Sequence, residues 1–164
     1  MHIRKTTFDD LPQVMAIYQD ARDLMEATNN PTQWGKTHPV QSLIEGDIHQ
    51  GLSYVCTHSP EANAPVLAVF FFDTRPDKTY GHIDGAWQQE GPYGVIHRIA
   101  RGKNAKGAGR FCLEWCYEQI PNIRIDTHEN NGPMRALLET LGYVYCGNIL
   151  LEDGAPRMAF QKCS

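Results

Sequence analysis

The stretch "ARGKNAKGAGRFCLEWC", residues 100–116, sets three cations, Lys103, Lys106 and Arg110, around Gly102, Gly107 and Gly109, then turns apolar at helical spacing. Ala108, Phe111, Cys112, Trp115 and Cys116 fall at i, i+3, i+4, i+7 and i+8, one face of a helix. The preceding "PYGVIHRIA" (92–100) reads as a strand, so the order is strand, glycine turn, helix. A helix N-terminus exposes about four unpaired N–H groups and a partial positive charge. Glycine lets an anion approach that backbone, and a diphosphate is the natural guest. The plainer alternative is a flexible turn carrying solvated lysines. The known nucleotide loops fit poorly, because a Walker-type loop needs Lys and then Ser or Thr where Ala108 and Gly109 stand, and the dinucleotide pattern GxGxxG is absent.

Outward from that loop, "HIRKT" reads as a first strand and Asp9, Asp10 and Pro12 suit a helix start. Leu11, Val14, Met15, Tyr18 and Met25 lie close to one helical stripe, and a second helix is expected over 40–49. "LSYVCT" (52–57) and "PVLAVFFFD" (65–73) form a hairpin. "NIRIDT" (122–127) is the next strand, and Pro133 and Gly142 bracket a helix. Asp153-Gly154 turns a closing hairpin. The expected fold is α/β of the α+β kind, a mixed, mostly antiparallel sheet of about six or seven strands with about four helices on its faces.

Composition bounds the rest. At 164 residues, 41% apolar and 21% charged, with no linker composition, the chain is expected to be one domain, 1–164. Net charge −4 argues against bulk electrostatic binding of nucleic acid, so any polyanion site is local. The longest apolar run, "VLAVFFF" at 66–72, is far short of the roughly 20 residues of a membrane span, and no signal-peptide h-region follows Met1. A cytoplasmic protein without nucleic-acid or membrane partners is expected. The five cysteines lack CxxC pairs, and "HEN" and Cys112-x-x-x-Cys116 lack the ligand count of a metal site, so no metal is expected.

Taken together, "VIHRIA", the loop ending "NAKGAG", the amphipathic helix, "IRIDT" and "NNGPMRALLETLGYVYCG" resemble the GCN5-related N-acetyltransferase (GNAT) superfamily over nearly the whole chain. The resemblance implies an acetyltransferase fold and a loop, Gln/Arg-x-x-Gly-x-Gly/Ala, that binds the pyrophosphate of acetyl coenzyme A. Gly107 and Gly109 match that pattern, with Asn104 at its first position. By the same resemblance Ile99, Ala100 and Arg101 offer backbone N–H groups to the pantetheine arm, and Lys103, Asn104, Lys106, Ala108 and Arg110 complete the coenzyme loop. Asn131, Leu137, Glu139, Gly142 and Tyr143 match a second family signature, which adds Asn131 and Met134 to the coenzyme set. Leu138 stands where many members carry the tyrosine taken as general acid. The resemblance implies acetyl transfer from acetyl-CoA to a primary amine, small-molecule or peptide, directly in a ternary complex. A coenzyme-binding sensor that has lost catalysis is the alternative, and a homodimer through the closing hairpin is possible by fold analogy.

Amine acetylation needs a deprotonated nitrogen, placed on the thioester carbonyl, and donors for the developing oxyanion. His97, polar within an apolar strand, is the first candidate base, followed by Glu129 and His128; imidazole chemistry suits proton removal near neutrality. The competing reading for His97 is a structural histidine. Alternation puts Arg98 on the opposite face from His97, in an ion pair with Asp84 or Asp126. Asn130 is expected to cap the next helix. Trp34, Asp84 and Tyr93 are candidate acceptor-binding residues; with Tyr80 and Trp87 the aromatics either wall a pocket or pack in the core.

Overall fold

A computed structural model describes residues 1–164. The strands are β1 (His2–Lys5), β2 (Ser53–Thr57), β3 (Val66–Asp73), β4 (Asp84–Gly85), β5 (Gly94–Arg101), β6 (Asn122–Thr127), β7 (Val144–Leu150) and β8 (Pro156–Cys163). The helices are α1 (Leu11–Ala27), α2 (Gln41–His49), α3 (Ala108–Gln119) and α4 (Gly132–Thr140). This is the mixed, mostly antiparallel α+β architecture expected, with one strand more: Asp84–Gly85 is too short for any periodicity to announce it.

The chain forms two compact units, Met1–Phe72 with His97–Trp115, and Asp73–Ile96 with Cys116–Ser164. The first carries the strand order β1-β2-β3-β5 and the second β5-β6-β8-β7-β4, with β5 giving its C-terminal half to one and its N-terminal half to the other.

In the first unit β1, β2 and β3 form an antiparallel ladder, Ile3 opposite Cys56 and Val55 opposite Val69. Helices α1 and α2 cover it with Val14, Ile17, Tyr18 and Ile44, which close on Val55, Val69 and Ala100. Full burial of such aliphatic side chains is worth about 1.5–3 kcal/mol each. Trp115 of α3 packs among Tyr54, Phe70 and Phe72 at 5.3–6.0 Å between ring centroids, so it is a core residue. Cys112 and Cys116 are fully buried, on the helix face the spacing assigned to the core.

In the second unit β6 pairs parallel with β5 over Gly94–Ile96 opposite Ile123–Ile125, and antiparallel with β8 over its whole length. The β7–β8 hairpin turns at Gly154, φ +85°, with Ala155 N–H held by the Asp153 carboxylate at 2.9 Å. Strand β4 docks on β7 where Gly85 and Gly147 face each other: a Cβ on either would overlap the carbonyl oxygen of Cys146 or of Asp84. Only paired glycines allow that approach, which sets where Ala86 and Trp87 begin.

Candidate active site

Within the first unit the site is built on β5. Arg98 has φ +49°, a left-handed conformation that costs a non-glycine residue about 1–2 kcal/mol. Two contacts hold it there. The buried Tyr18 hydroxyl donates to the Arg98 carbonyl at 2.8 Å, and the Arg98 guanidinium grips Asp47 side-on, Nε at 3.1 Å and Nη2 at 3.0 Å. Burial lifts the Tyr18 phenol well above its ordinary value, so it remains a donor. Burial also pushes the Asp47 carboxyl up; the attraction of Arg98, and then of His97, pulls it back only in part.

This left-handed residue corrects two expectations. Arg98 pairs with Asp47 rather than with Asp84 or Asp126. Strand alternation also fails locally, because the positive φ turns Arg98 back: its guanidinium lies 4.6 Å from the Phe71 ring while the His97 ring sits 5.6 Å from the same ring. His97 and Arg98 therefore share a neighbour.

Beyond Arg98, Ile99, Ala100 and Arg101 lead into the loop. Gly102 N–H binds the Leu67 carbonyl at 2.9 Å, Ala105 N–H the Gly102 carbonyl at 3.1 Å, and Ala108 N–H the Ala105 carbonyl at 3.1 Å. Ala105 and Ala108 are buried and anchor the turn. Phe111 N–H is the first to reach back a full helical turn, to Gly107 at 3.0 Å, so Gly107, Gly109 and Arg110 contribute N-terminal donors of α3. Gly107 has φ +85°, and a Cβ there would meet nothing within 4 Å, so the glycine serves the turn and leaves open space in front of the helix end. Lys103 lies 3.5 Å from Asp20 and Arg110 3.0 Å from Glu114, exposed pairs worth about 0–1 kcal/mol that a phosphate can displace. Asn104 and Lys106 are exposed on the same loop. Positive-φ glycine, helix donors, open space and three cations fit a diphosphate.

Trp34 stands apart from that loop. It is half-buried against the first unit's core, edge-on to Tyr18 at 5.7 Å and to His38 at 6.1 Å.

In the second unit, His128 Nδ1 accepts the Asn130 N–H at 3.0 Å, which engages one imidazole nitrogen in a turn. Burial, then the Arg157 charge, lower the His128 value, with Glu129 opposing. The Glu129 carbonyl accepts from Arg135 at 2.9 Å and its carboxylate is exposed. The cap of α4 is Asn131 rather than Asn130: its side chain accepts the Met134 N–H at 3.2 Å, tying together the two residues expected at the coenzyme. Leu138 is fully buried and offers no proton.

Asp84 is exposed on β4, while Tyr93 helps line a cavity of about 710 Å³ together with Tyr80, Trp87, Glu90 and Arg124. Three of the four aromatics expected at a pocket thus meet. Tyr80 donates to Asp126 at 2.6 Å, Trp87 Nε1 to the Tyr80 carbonyl at 3.1 Å, and the Tyr93 hydroxyl accepts Asp77 N–H at 3.0 Å. Sequence reading passed over Tyr18, Asp47 and Arg124. The available signals were an aspartate one turn after Ile44 in an apolar-faced helix and an arginine inside "NIRID".

No protein-family model matches the chain, and no curated protein matches it. Solved structures do. A GNAT-family acetyltransferase from Streptococcus agalactiae is 28% identical, with TM-score 0.85 over 99% of this chain and 95% of that one. A ribosomal-protein-alanine N-acetyltransferase from Brucella melitensis matches along the full length of both chains at 21% identity and TM-score 0.62. A NatC complex bound to Gag peptide and CoA shares the fold at 13% identity and TM-score 0.56, over all of this chain and 99% of that one. The chain thus has the fold of the GCN5-related N-acetyltransferases and is similar to a GNAT-family acetyltransferase.

Proposed function

We propose that the chain, working as one domain, moves an acetyl group from acetyl-CoA to a primary amine of a small molecule or peptide by direct transfer in a ternary complex. The observation that carries this reading is the left-handed Arg98, held by Tyr18 near the end of β5, followed by the loop with positive-φ Gly107 at the N-terminus of α3. Arg98 lies beyond the Gly94–Ile96 stretch of β5 that pairs with β6, and in this reading backbone N–H groups of Ile99–Arg101 meet an acyl carbonyl and an amide arm. Acetyl-CoA, when bound, supplies the thioester carbon and the leaving thiolate.

His97 takes the proton from the acceptor amine, directly or through a water. His128 is less suited, because a neutral ring whose Nδ1 accepts a hydrogen bond carries its proton on Nε2. Glu129 is exposed and serves the approach of a cationic amine. Trp34, Asp84 and Tyr93 contribute to acceptor recognition. The thiolate leaves without a proton from Leu138.

That buried leucine also favours a second reading, a CoA-binding module without turnover. Calorimetric titration with acetyl-CoA and with CoA, followed by thiol release in an amine screen, separates the two. Saturable binding that Gly107→Asp abolishes, with thiol release for some amine, supports transfer. Binding without release for any amine leaves the module, and no binding by the wild type overturns both.

A further inference from the structure

The cavity in the second unit contains a cation without its full set of partners. Arg124 is 4% exposed, and its guanidinium is sandwiched at 4.3 Å from the Trp87 ring and 4.2 Å from the Tyr93 ring. Nη2 donates to the Gln89 carbonyl at 2.9 Å, yet Nε is buried with no hydrogen-bond partner. An unmet donor on a buried charged group is costly and rare in native proteins. The nearest carboxylate, Glu90, reaches only Nη2, at 3.5 Å, and its side chain is 89% exposed. Such an ion pair contributes little and is readily exchanged.

The same protein shows what that edge of a guanidinium takes when satisfied: Arg98 presents Nε and Nη2 to both oxygens of Asp47. The cavity that Arg124 lines has Ile83, Tyr80 and Trp87 among its walls, with Asp77, Lys78 and Glu90 as its other charged residues, and its volume of about 710 Å³ is within the range of small-ligand pockets. The segment above it is fixed, because Gln161 accepts the N–H groups of Gln88 and Gln89 at 2.6 and 3.1 Å and donates to the Gln89 carbonyl and to Asn122.

We infer that this cavity binds a carboxylate carried on an aromatic or aliphatic body, with the carboxylate seated side-on across Nε and Nη2 of Arg124 and Glu90 displaced to solvent. The site goes beyond acyl transfer and needs no acyl donor. Two sources share this chemistry, a free small acid and the C-terminus of a peptide.

The test uses the full chain without acyl-CoA, following the Trp87 indole and Arg124 Nε–H signals by NMR during titration with phenylacetate, with uncharged phenylacetamide, and with N-acetyl-Gly-Phe bearing a free C-terminus. Saturable shifts with the acids and not with the amide are expected. Glu90→Gln, on an exposed side chain, should tighten binding severalfold by removing the competing carboxylate. Arg124→Lys, which cannot make the side-on contact, should weaken it about tenfold or more. Tighter binding of the peptide assigns the source to chain termini, and tighter binding of phenylacetate to free acids. Absence of saturable shifts in both wild type and Glu90→Gln, or equal affinity for phenylacetamide, overturns the inference whether or not the Arg124 variant folds.

Discussion

The Tyr18 hydroxyl and the Arg98 carbonyl, 80 positions apart in sequence, are joined by a 2.8 Å hydrogen bond that fixes the one left-handed residue of β5. Phenylalanine fills the same space without the donor. Tyr18→Phe therefore leaves a carbonyl with a lost partner, at a cost of about 1–3 kcal/mol in urea unfolding. If the left-handed Arg98 positions the amides of Ile99–Arg101, the variant also binds acetyl-CoA more weakly, while an equally destabilising change in the Tyr54–Trp115 cluster does not. Equal effects from both would reduce Tyr18 to a core residue.

Asp10 gives the acid limb of stability. Burial raises its carboxyl, but hydrogen bonds from Arg4 at 2.7 and 2.9 Å and from Thr7 N–H at 2.8 Å outweigh it, and the net shift is downward. A folded value below the unfolded one, about 3.9, contributes stability fully present above that unfolded value and lost as pH falls through the folded one. Asp10→Asn is expected to cost about 1–2 kcal/mol at pH 7, with the gap to wild type closing below about pH 4. Denaturant midpoints across pH 2–7 measure it, and a gap independent of pH would remove the ionic contribution.

His97 is tested by separating binding from chemistry. His97→Gln keeps a polar side chain of similar reach but removes the base. The expected result is a fall of about 10²–10⁴ in kcat for an accepted amine, with the acetyl-CoA dissociation constant within a few-fold of wild type. Unchanged kcat across pH 6–9 would make the histidine structural.

The sequence made the long elements legible because their signals are local. The apolar stripe of α3 and the Asp153-Gly154 turn each lie within one window, and both hold in the structure. Gly107 was legible for the same reason, although its necessity comes from φ +85° rather than from crowding. What escaped depends on partners distant in sequence. Arg98 pairs with Asp47 where its positive φ overrides the two-residue alternation, and nothing within "VIHRIA" states that the backbone turns there. Arg124 acquires meaning only when Trp87 and Tyr93 arrive from another segment to cover both faces of its guanidinium. Side-chain function in this protein is decided mostly by such meetings, which is why the glycine loop and the aromatic walls of the second unit's cavity were readable and the cation between those walls was not.

Gly147 was likewise inconspicuous, yet it faces Gly85 with φ +140° against +138°. A methyl group on Gly147 would overlap the Asp84 carbonyl oxygen and crowd the Gly85 Cα, and both obstacles are backbone. No rotamer relieves them, so β4 must leave β7. Gly147→Ala is expected to cost about 3 kcal/mol or more in urea unfolding, at the upper end for overpacking. Since β4 leads into Ala86 and Trp87, whose N–H and indole bind Cys146 and Tyr80, the Trp87 NMR signal should also shift. Gly154→Ala provides the comparison, because that glycine has φ +85° with nothing within 4 Å of its Cβ, and strain alone predicts about 1 kcal/mol. Similar losses in the two variants would mean that conformation, rather than the close approach of β4 to β7, is what glycine 147 provides.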